Sequence, residues 1–198
     1  MKTVDTIAAL EALYEPANVK SLEKVVTRLT PAYRAWIEAS RFVIVSTVGP
    51  EGTDGSPRGD DGPVVRIADD RTLMLPDWRG NNRLDTLRNI VADGRVSLMF
   101  IVRGSDNVVR VNGTAKLIVD ETLCESFAKN GIAPRSVIAV RVAEAYFQCA
   151  KALMRSRLWT QDPVEVPSAG DFLREQIDGF DARTYDEGYA EHARAIMW

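Results

Sequence analysis

The sequence contains one histidine and two cysteines among its 198 residues, and this scarcity excludes several kinds of active site. Cys124 and Cys149 lie far apart without C-x-x-C spacing, so we expect two reduced thiols rather than a disulfide. A zinc site needs more histidine or cysteine ligands than the chain offers. A histidine-based nucleophilic triad could use only His192. The sequence therefore predicts no metal site.

Long apolar runs and a strong charge of one sign are also absent. No stretch approaches the roughly 18 apolar residues of a membrane span, so we expect no membrane contact. The first residues carry acidic side chains where a signal peptide has its apolar core, which favours a cytoplasmic location. A net charge of −3 argues against a general nucleic-acid-binding protein. A local basic pocket for a small phosphorylated molecule remains compatible with these absences.

What the sequence does contain is a series of short β-branched runs, at 41–49, 64–76, 95–102, 108–119 and 136–149. Six or seven short strands with few helices between them favour an antiparallel barrel over a parallel α/β sheet. We therefore predict a mainly β fold with peripheral helices. A helical segment over 1–40 packs on a barrel over 41–160, and a linker with a helical tail follows over 161–198.

Local signals predict several element boundaries. Thr30 and Pro31 mark the start of a helix, and the Asp69-Asp70 pair marks a hairpin turn. The segment 49–63 is dense in Gly, Pro and Asp, which predicts turns and only a short or bulged strand. Apolar residues at helical spacing predict a helix over 82–93.

The stretch LMLPDWRGNNR, residues 73–83, is rich in hydrogen-bond donors. It places Asn81, Asn82 and Arg83 at the start of the predicted helix, where backbone N–H groups favour an anion and an arginine adds a charged fork. Taken alone, the stretch is more typical of a polar strand-to-helix loop with an asparagine cap than of a binding site. The functional interpretation depends on what accompanies it.

Three other segments carry basic residues in a similar setting. Arg58 lies between a proline and a glycine in SPRGD, and Arg110 lies on the polar face of a predicted strand. Lys151 and Arg155 share one face of a predicted helix, with Trp159 close behind. Each segment alone fits a solvated surface, but together they favour a site for a phosphate and a flat ring.

In their order along the chain, SPRGD, LMLPDWRGNNR, RVNGTAKL and KALMRSRLW resemble motifs of the pyridoxamine 5′-phosphate oxidase-related flavoproteins. More closely, they resemble an uncharacterised bacterial subgroup of that family. The resemblance covers roughly residues 30–160. It implies a split β-barrel that binds FMN at the interface of a homodimer.

The resemblance also implies which residues bind the cofactor. Arg58, Asn81 and Arg83, with Asn82 between them, correspond to the phosphate-binding positions, and Gly59 and Asp60 follow Arg58. Pro76 and Asp77 correspond to the strand beside the isoalloxazine, and Arg110 to a polar side chain on the cofactor. The remaining positions reach in from the other subunit or close the site from the C-terminal side: Lys151, Arg155 and Trp159.

The chain departs from the family in two places. It has no counterpart of the C-terminal arginine and histidine that handle the vitamin substrate, so pyridoxamine phosphate oxidation is not implied. Gln148 stands where the subgroup commonly has a histidine, and an amide cannot shuttle protons near neutral pH. We expect an FMN-dependent oxidoreductase of unknown substrate. The alternatives are a non-catalytic flavin carrier or sensor, and the same fold binding the deazaflavin F420.

Overall fold

The computed structural model describes residues 1–198 and is built around one antiparallel sheet. Its strands are β1 (Phe42–Gly49), β2 (Gly52–Gly59), β3 (Arg66–Asp69), β4 (Thr72–Pro76), β5 (Arg95–Ile101), β6 (Val108–Ile118) and β7 (Val137–Gln148). Its helices are α1 (Ile7–Glu11), α2 (Val19–Glu23), α3 (Pro31–Ala39), α4 (Asp85–Ala92), α5 (Glu121–Glu125), α6 (Lys151–Ser156), α7 (Ala169–Gln176) and α8 (Ala182–Ile196). The predicted mainly β fold with peripheral helices is confirmed.

The seven strands follow the order β2-β1-β5-β6-β7-β4-β3. Successive side chains of a strand point to opposite faces, and on one face Val43, Val45, Leu98 and Phe100 are fully buried. Leu73, from the other end of the sheet, belongs to the same core cluster. The two ends share a core because the sheet is rolled up. Since β2 and β3 remain its edges, the barrel is split.

The open side of the barrel is crossed by the segment that joins β2 to β3. The N–H of Asp60 donates to the carbonyl of Arg41 (3.0 Å), and the N–H of Val64 donates to that of Ser40 (2.9 Å). Val64 is buried in the core. The crossing segment is therefore anchored to the end of α3 and the start of β1, and it forms one side of the cleft described below.

The prediction for residues 49–63 was wrong in one respect. β2 is a regular eight-residue strand, paired in unbroken register with β1 from Gly49↔Gly52 to Phe42↔Gly59. Pro57 is tolerated because an edge strand has N–H positions that face away from its only neighbour. Gly52 supplies a φ of +129° at the hairpin turn, a conformation that side-chain-bearing residues rarely adopt.

The helix predicted over 82–93 exists but begins later. Its first residue is Asp85, and Leu84 at the N-cap has a left-handed φ of 64°. Asn81, Asn82 and Arg83 therefore lie in the preceding loop rather than in the first helical turn. The hairpin at Asp69-Asp70 is confirmed, since β3 and β4 pair on either side of it.

The N-terminal helical region is divided into three short helices. Pro31 occupies the first turn of α3 as predicted, although the Thr30 side chain makes no capping hydrogen bond. Ile37 of α3 is fully buried in the barrel core. Residues 1–23, which include α1 and α2, are exposed throughout.

The two helices predicted in the tail form a hairpin, α7 and α8. Ser168 and Asp171 make a reciprocal capping box at the start of α7. Asp186 of α8 accepts hydrogen bonds from the Ser168 hydroxyl and from the Gly170 N–H (2.9 Å). After α8 the chain returns to the barrel at Trp198. None of the eight helices has the length and apolar character needed to cross a membrane.

Candidate functional site

A cleft of about 1360 Å³ lies at the open side of the barrel. It is bounded by β2, the end of β4, the loop over 77–84, the first turn of α4, the loop over 132–136 and the last two residues. Eight of the predicted cofactor residues line it: Arg58, Gly59, Asp60, Pro76, Asp77, Asn81, Asn82 and Arg83. Segments distant in the sequence thus meet in one groove.

Arg58 lies where β2, the loop after β4 and α4 meet. One guanidinium nitrogen donates to the Thr86 hydroxyl (3.4 Å), and another donates to the Pro57 carbonyl (3.1 Å). The buried Thr86 hydroxyl in turn donates to Asp54 Oδ2 (2.5 Å). The Arg58 side chain is only 27% exposed. Its charge is therefore held in the cleft rather than in bulk solvent.

Asp77 lies beside Arg58, with 3.8 Å between Oδ1 and Nη2. Burial raises the pKa of the Asp77 carboxyl above its ordinary value, and the attraction of the Arg58 guanidinium only partly opposes that effect. The Asp77 N–H donates to the carbonyl of Ser136 (3.0 Å). That N–H is therefore used within the protein, while Asp77 itself lines the cleft.

The loop before α4 is shaped by its asparagines. The Asn81 side chain accepts a hydrogen bond from the Arg83 N–H (3.1 Å), and Asn82 adopts a left-handed φ of 60° that asparagine tolerates well. The Arg83 guanidinium is 77% exposed and pairs with Asp85 (2.8 Å). No side chain caps the first turn of α4. Its N–H groups therefore remain available at the cleft.

Two residues that the sequence did not single out, Trp78 and Trp198, line the cleft, and a third, Lys129, lies beside it. The Trp78 indole donates to Asp60 Oδ2 (3.0 Å), and its ring lies 5.2 Å from Trp198 at 82°. Lys129 forms ion pairs with both Asp60 and Asp61. Its ammonium lies 4.4 Å from the Trp198 ring centroid. Asp60, predicted as a cofactor residue, thus has its carboxylate engaged by Trp78 and Lys129.

Of these three residues, only Trp78 lies in a stretch that the sequence marks as a candidate site, because it belongs to the donor-rich loop. Lys129 and Trp198 lie about 50 and 120 residues beyond that loop, in segments whose local pattern predicts only helices and turns. Nothing in the sequence brings them to the cleft. Their positions follow from the loop after α5 and from the return of the chain after α8.

The other four predicted cofactor residues lie outside the cleft of a single chain. Arg110 is on the face of β6 opposite to the core, 3.4 Å from the Ser97 hydroxyl. Lys151 and Arg155 are exposed on α6. Trp159 borders a separate groove of about 610 Å³, and its indole donates to the Ser105 carbonyl (2.9 Å). Their role as cofactor residues therefore remains a prediction.

The fold and the cleft define a class: a split β-barrel with a polar groove along its open side. The chain belongs to the pyridoxamine 5′-phosphate oxidase family, whose sequence model matches residues 29–149, more than half of the chain. A search of the curated proteins gave no match.

Solved structures support the fold. HupZ of Group A Streptococcus is 20% identical over 59% of this chain and 91% of its own, with a TM-score of 0.50. A pyridoxamine 5′-phosphate oxidase-type protein of Lactobacillus delbrueckii is 20% identical over 61% of this chain and 95% of its own, also with 0.50. An F420 reductase is 18% identical over 61% of this chain and 98% of its own, with 0.45. The support for the fold comes from the two structures with a TM-score of 0.50, and at 20% identity they speak to the fold alone.

Proposed function

We propose that the protein is an FMN-binding flavoprotein that acts as an oxidoreductase on a small molecule. The observation that carries the proposal is the position of Arg58, held in the cleft beside the uncapped first turn of α4. A guanidinium and a helix N-terminus at one place are a recurring arrangement for a phosphate. Family membership supports the same ligand class.

The phosphate end of the cleft consists of Arg58, the first turn of α4 and the side chains of Asn81 and Asn82. Arg83 contributes more weakly, because it is exposed and its charge is already compensated by Asp85. The hydrogen-bond donors at this end of the cleft fit a dianionic group such as a phosphate. Thr86, which accepts from Arg58, holds the guanidinium in place.

The ring of the cofactor would lie along the end of β4. Pro76 has no N–H and the Asp77 N–H is bonded to Ser136, so backbone donors are not available at this point. The Asp77 carboxyl is the polar group that can contact the ring edge. Bound FMN would supply the redox chemistry, while these residues bind and orient it.

A homodimer with FMN at its interface is part of this proposal. The outer face of the sheet contains three buried polar atoms without a partner: Arg110 Nε, Asn112 Oδ1 and Gln148 Oε1. Buried polar groups that lack a hydrogen bond are costly. A second copy packed on this face would supply partners, and it could bring Lys151, Arg155 and Trp159 towards the cofactor.

The test begins with the purified protein, incubated with FMN and then desalted. We expect it to retain FMN and to show the visible absorption bands of oxidised flavin. A colourless protein that ignores added FMN would overturn the proposal. Turnover with NADH or NADPH and an electron acceptor distinguishes an enzyme from a carrier or sensor. The same experiment with F420 tests the deazaflavin alternative.

A further inference from the structure

The N-terminal segment of the chain presents apolar side chains to solvent. Val26 is joined to β7 by an antiparallel bridge with Ala145, but every residue from 1 to 23 is exposed. The exposed set includes large apolar side chains, among them Ile7, Leu10, Leu13 and Tyr14. Apolar surface that is contiguous and exposed commonly marks a site of protein–protein contact.

The apolar side chains of α1 share one face of a helical stretch. After α1 ends at Glu11, the N–H of Leu13 donates to the carbonyl of Leu10 (3.0 Å) and the N–H of Tyr14 donates to that of Glu11 (3.2 Å). The turn therefore continues to Tyr14, and the spacing of three and four residues puts Ile7, Leu10 and Tyr14 on one face. Helices this short are marginal in water and depend on packing. Because α1 has no buried residue in its own chain, its apolar face calls for another surface.

The same stretch carries charge of one sign. Residues 4–15, called the N-terminal arm below, contain Asp5, Glu11 and Glu15 but no lysine or arginine. None of the three carboxylates takes part in an ion pair of the chain. Glu11 and Glu15 are four residues apart and therefore lie on one side of the helical stretch. A matching surface would be apolar and would carry free cations.

The groove of about 610 Å³ beside Trp159, called the side groove below, has this composition. Six of its eight lining residues are hydrophobic, and the other two are Arg41 and Arg103. Both arginines lie at the same end of the barrel, because Phe42 of β1 pairs with Ile101 of β5. Neither arginine forms an ion pair in the chain. The side groove thus combines apolar walls with two uncompensated positive charges.

We propose that the N-terminal arm of one copy docks in the side groove of a second copy. The apolar face of the arm would lie on the hydrophobic walls, and its carboxylates would lie beside Arg41 and Arg103. The occupant is a second copy because no residue of the arm lines the side groove of its own chain. In a twofold dimer the exchange is reciprocal, since each copy gives one arm and receives one. This contact goes beyond the proposed function, because it involves neither the cleft nor a cofactor.

The test is disulfide trapping between full-length variants that carry Cys149→Ser, since Cys149 is exposed and Cys124 is buried. The arm variant carries Leu10→Cys, and the groove variant carries Leu158→Cys, both at exposed positions where the fold tolerates a change. The two preparations are mixed and oxidised, and mass spectrometry measures the mixed covalent dimer. The control replaces the groove variant with Phe172→Cys on exposed α7. We expect about ten-fold more mixed dimer than in the control, because docking raises the local concentration of the arm.

An exchange of charges tests the electrostatic match. Glu11→Lys together with Glu15→Lys in the arm variant should lower the amount of mixed dimer by about five-fold, because like charges would then meet in the side groove. Arg41→Glu together with Arg103→Glu in the groove variant should restore the mixed dimer when it is combined with that reversed arm. A general effect of the substitutions on the fold would not produce such a restoration.

Three results would overturn the proposal. If the mixed dimer is no more abundant than in the Phe172→Cys control, the arm does not dock in the side groove. If a variant that carries both Leu10→Cys and Leu158→Cys forms the disulfide only within one chain, the arm occupies its own groove. If the charge exchange restores nothing, the complementarity on which the proposal rests is wrong. A protein that forms the mixed dimer but retains no FMN supports this proposal and overturns the proposed function.

Discussion

Arg58 and Arg83 differ in how much of their charge is available to a ligand. Arg58 is held in the cleft by Thr86, and its distance of 3.8 Å from Asp77 makes that pair a loose one. Arg83 is mostly exposed and closely paired with Asp85. The sequence alone ranked the two equally, because pairing and exposure of a side chain are set by the tertiary structure.

We expect Arg58→Ala to weaken FMN binding by about 1.5–3 kcal/mol, the range for hydrogen bonds to charged groups. Arg83→Ala should cost less than about 1 kcal/mol, since an exposed, compensated charge contributes little. Fluorescence titration with FMN measures both, with the exposed Arg174→Ala on α7 as control. Equal losses at Arg58 and Arg83 would show that Arg83 turns from Asp85 to the ligand.

Asp77 makes stability depend on pH. Burial raises its pKa in the folded protein above the ordinary 3.8, so the folded state holds this proton more tightly than the unfolded state does. The stabilising contribution of Asp77 is therefore complete below about 3.8 and is lost as pH rises through the folded pKa. We expect Asp77→Asn to lose less stability than the unchanged protein as pH rises above 4. Urea unfolding at several pH values measures this, and parallel profiles would contradict it.

At the scale of elements, the sequence predicted most strands and helices but misjudged β2 and the start of α4. Both errors concern glycine, proline and asparagine, which usually indicate turns. These residues also occur in a strand where no neighbouring strand needs their N–H, and in loops that extend beyond the predicted start of a helix. An edge strand such as β2 is such a place. The long runs of β5, β6 and β7 were predictable because burial of one face imposes alternation.

The bulge between Asn112 and Gly113 joins β6 closely to β7. A Cβ at Gly113 would collide with the backbone carbonyl of Arg141, which cannot move without disturbing β7. We expect Gly113→Ala to reduce the free energy of unfolding by about 1–3 kcal/mol. Gly62→Ala is the control, since a Cβ there meets only open space. Chemical denaturation measures the free energy of unfolding of both variants. If the two variants were equally stable, the bulge would accommodate the added Cβ at no cost, and the prediction would be wrong.

At the scale of the whole molecule, the motifs over 30–160 carried the prediction of the fold and of eight cleft residues. They could not show that the loop after α5 and the chain after α8 return to the same groove. Contacts between segments so distant in the sequence leave no local pattern. For the same reason the motifs did not predict Lys129 and Trp198 there, whereas Asn81 and Asn82 lie within a motif that the structure places along the cleft.

We expect a dimer formed through the outer face of the sheet, where Arg110, Asn112 and Gln148 have buried atoms without partners. Tyr146→Lys, on the same face and directly opposite Arg110, should shift the protein towards the monomer, because two like charges would then lie side by side where the partner has to pack. Sedimentation velocity measures the change, with Phe172→Lys on exposed α7 as control. If the unchanged protein is already a monomer, the predicted dimer through this face does not form.

The position of Trp198 has a practical consequence for handling the protein. Any affinity tag or reporter fused after this residue would begin inside the cleft, against Trp78 and Lys129. It could block the groove or displace the indole, and binding assays on such a fusion would report a damaged site. Met1 is fully exposed in a segment that is exposed throughout. A purification handle attached within this exposed segment therefore avoids the cleft.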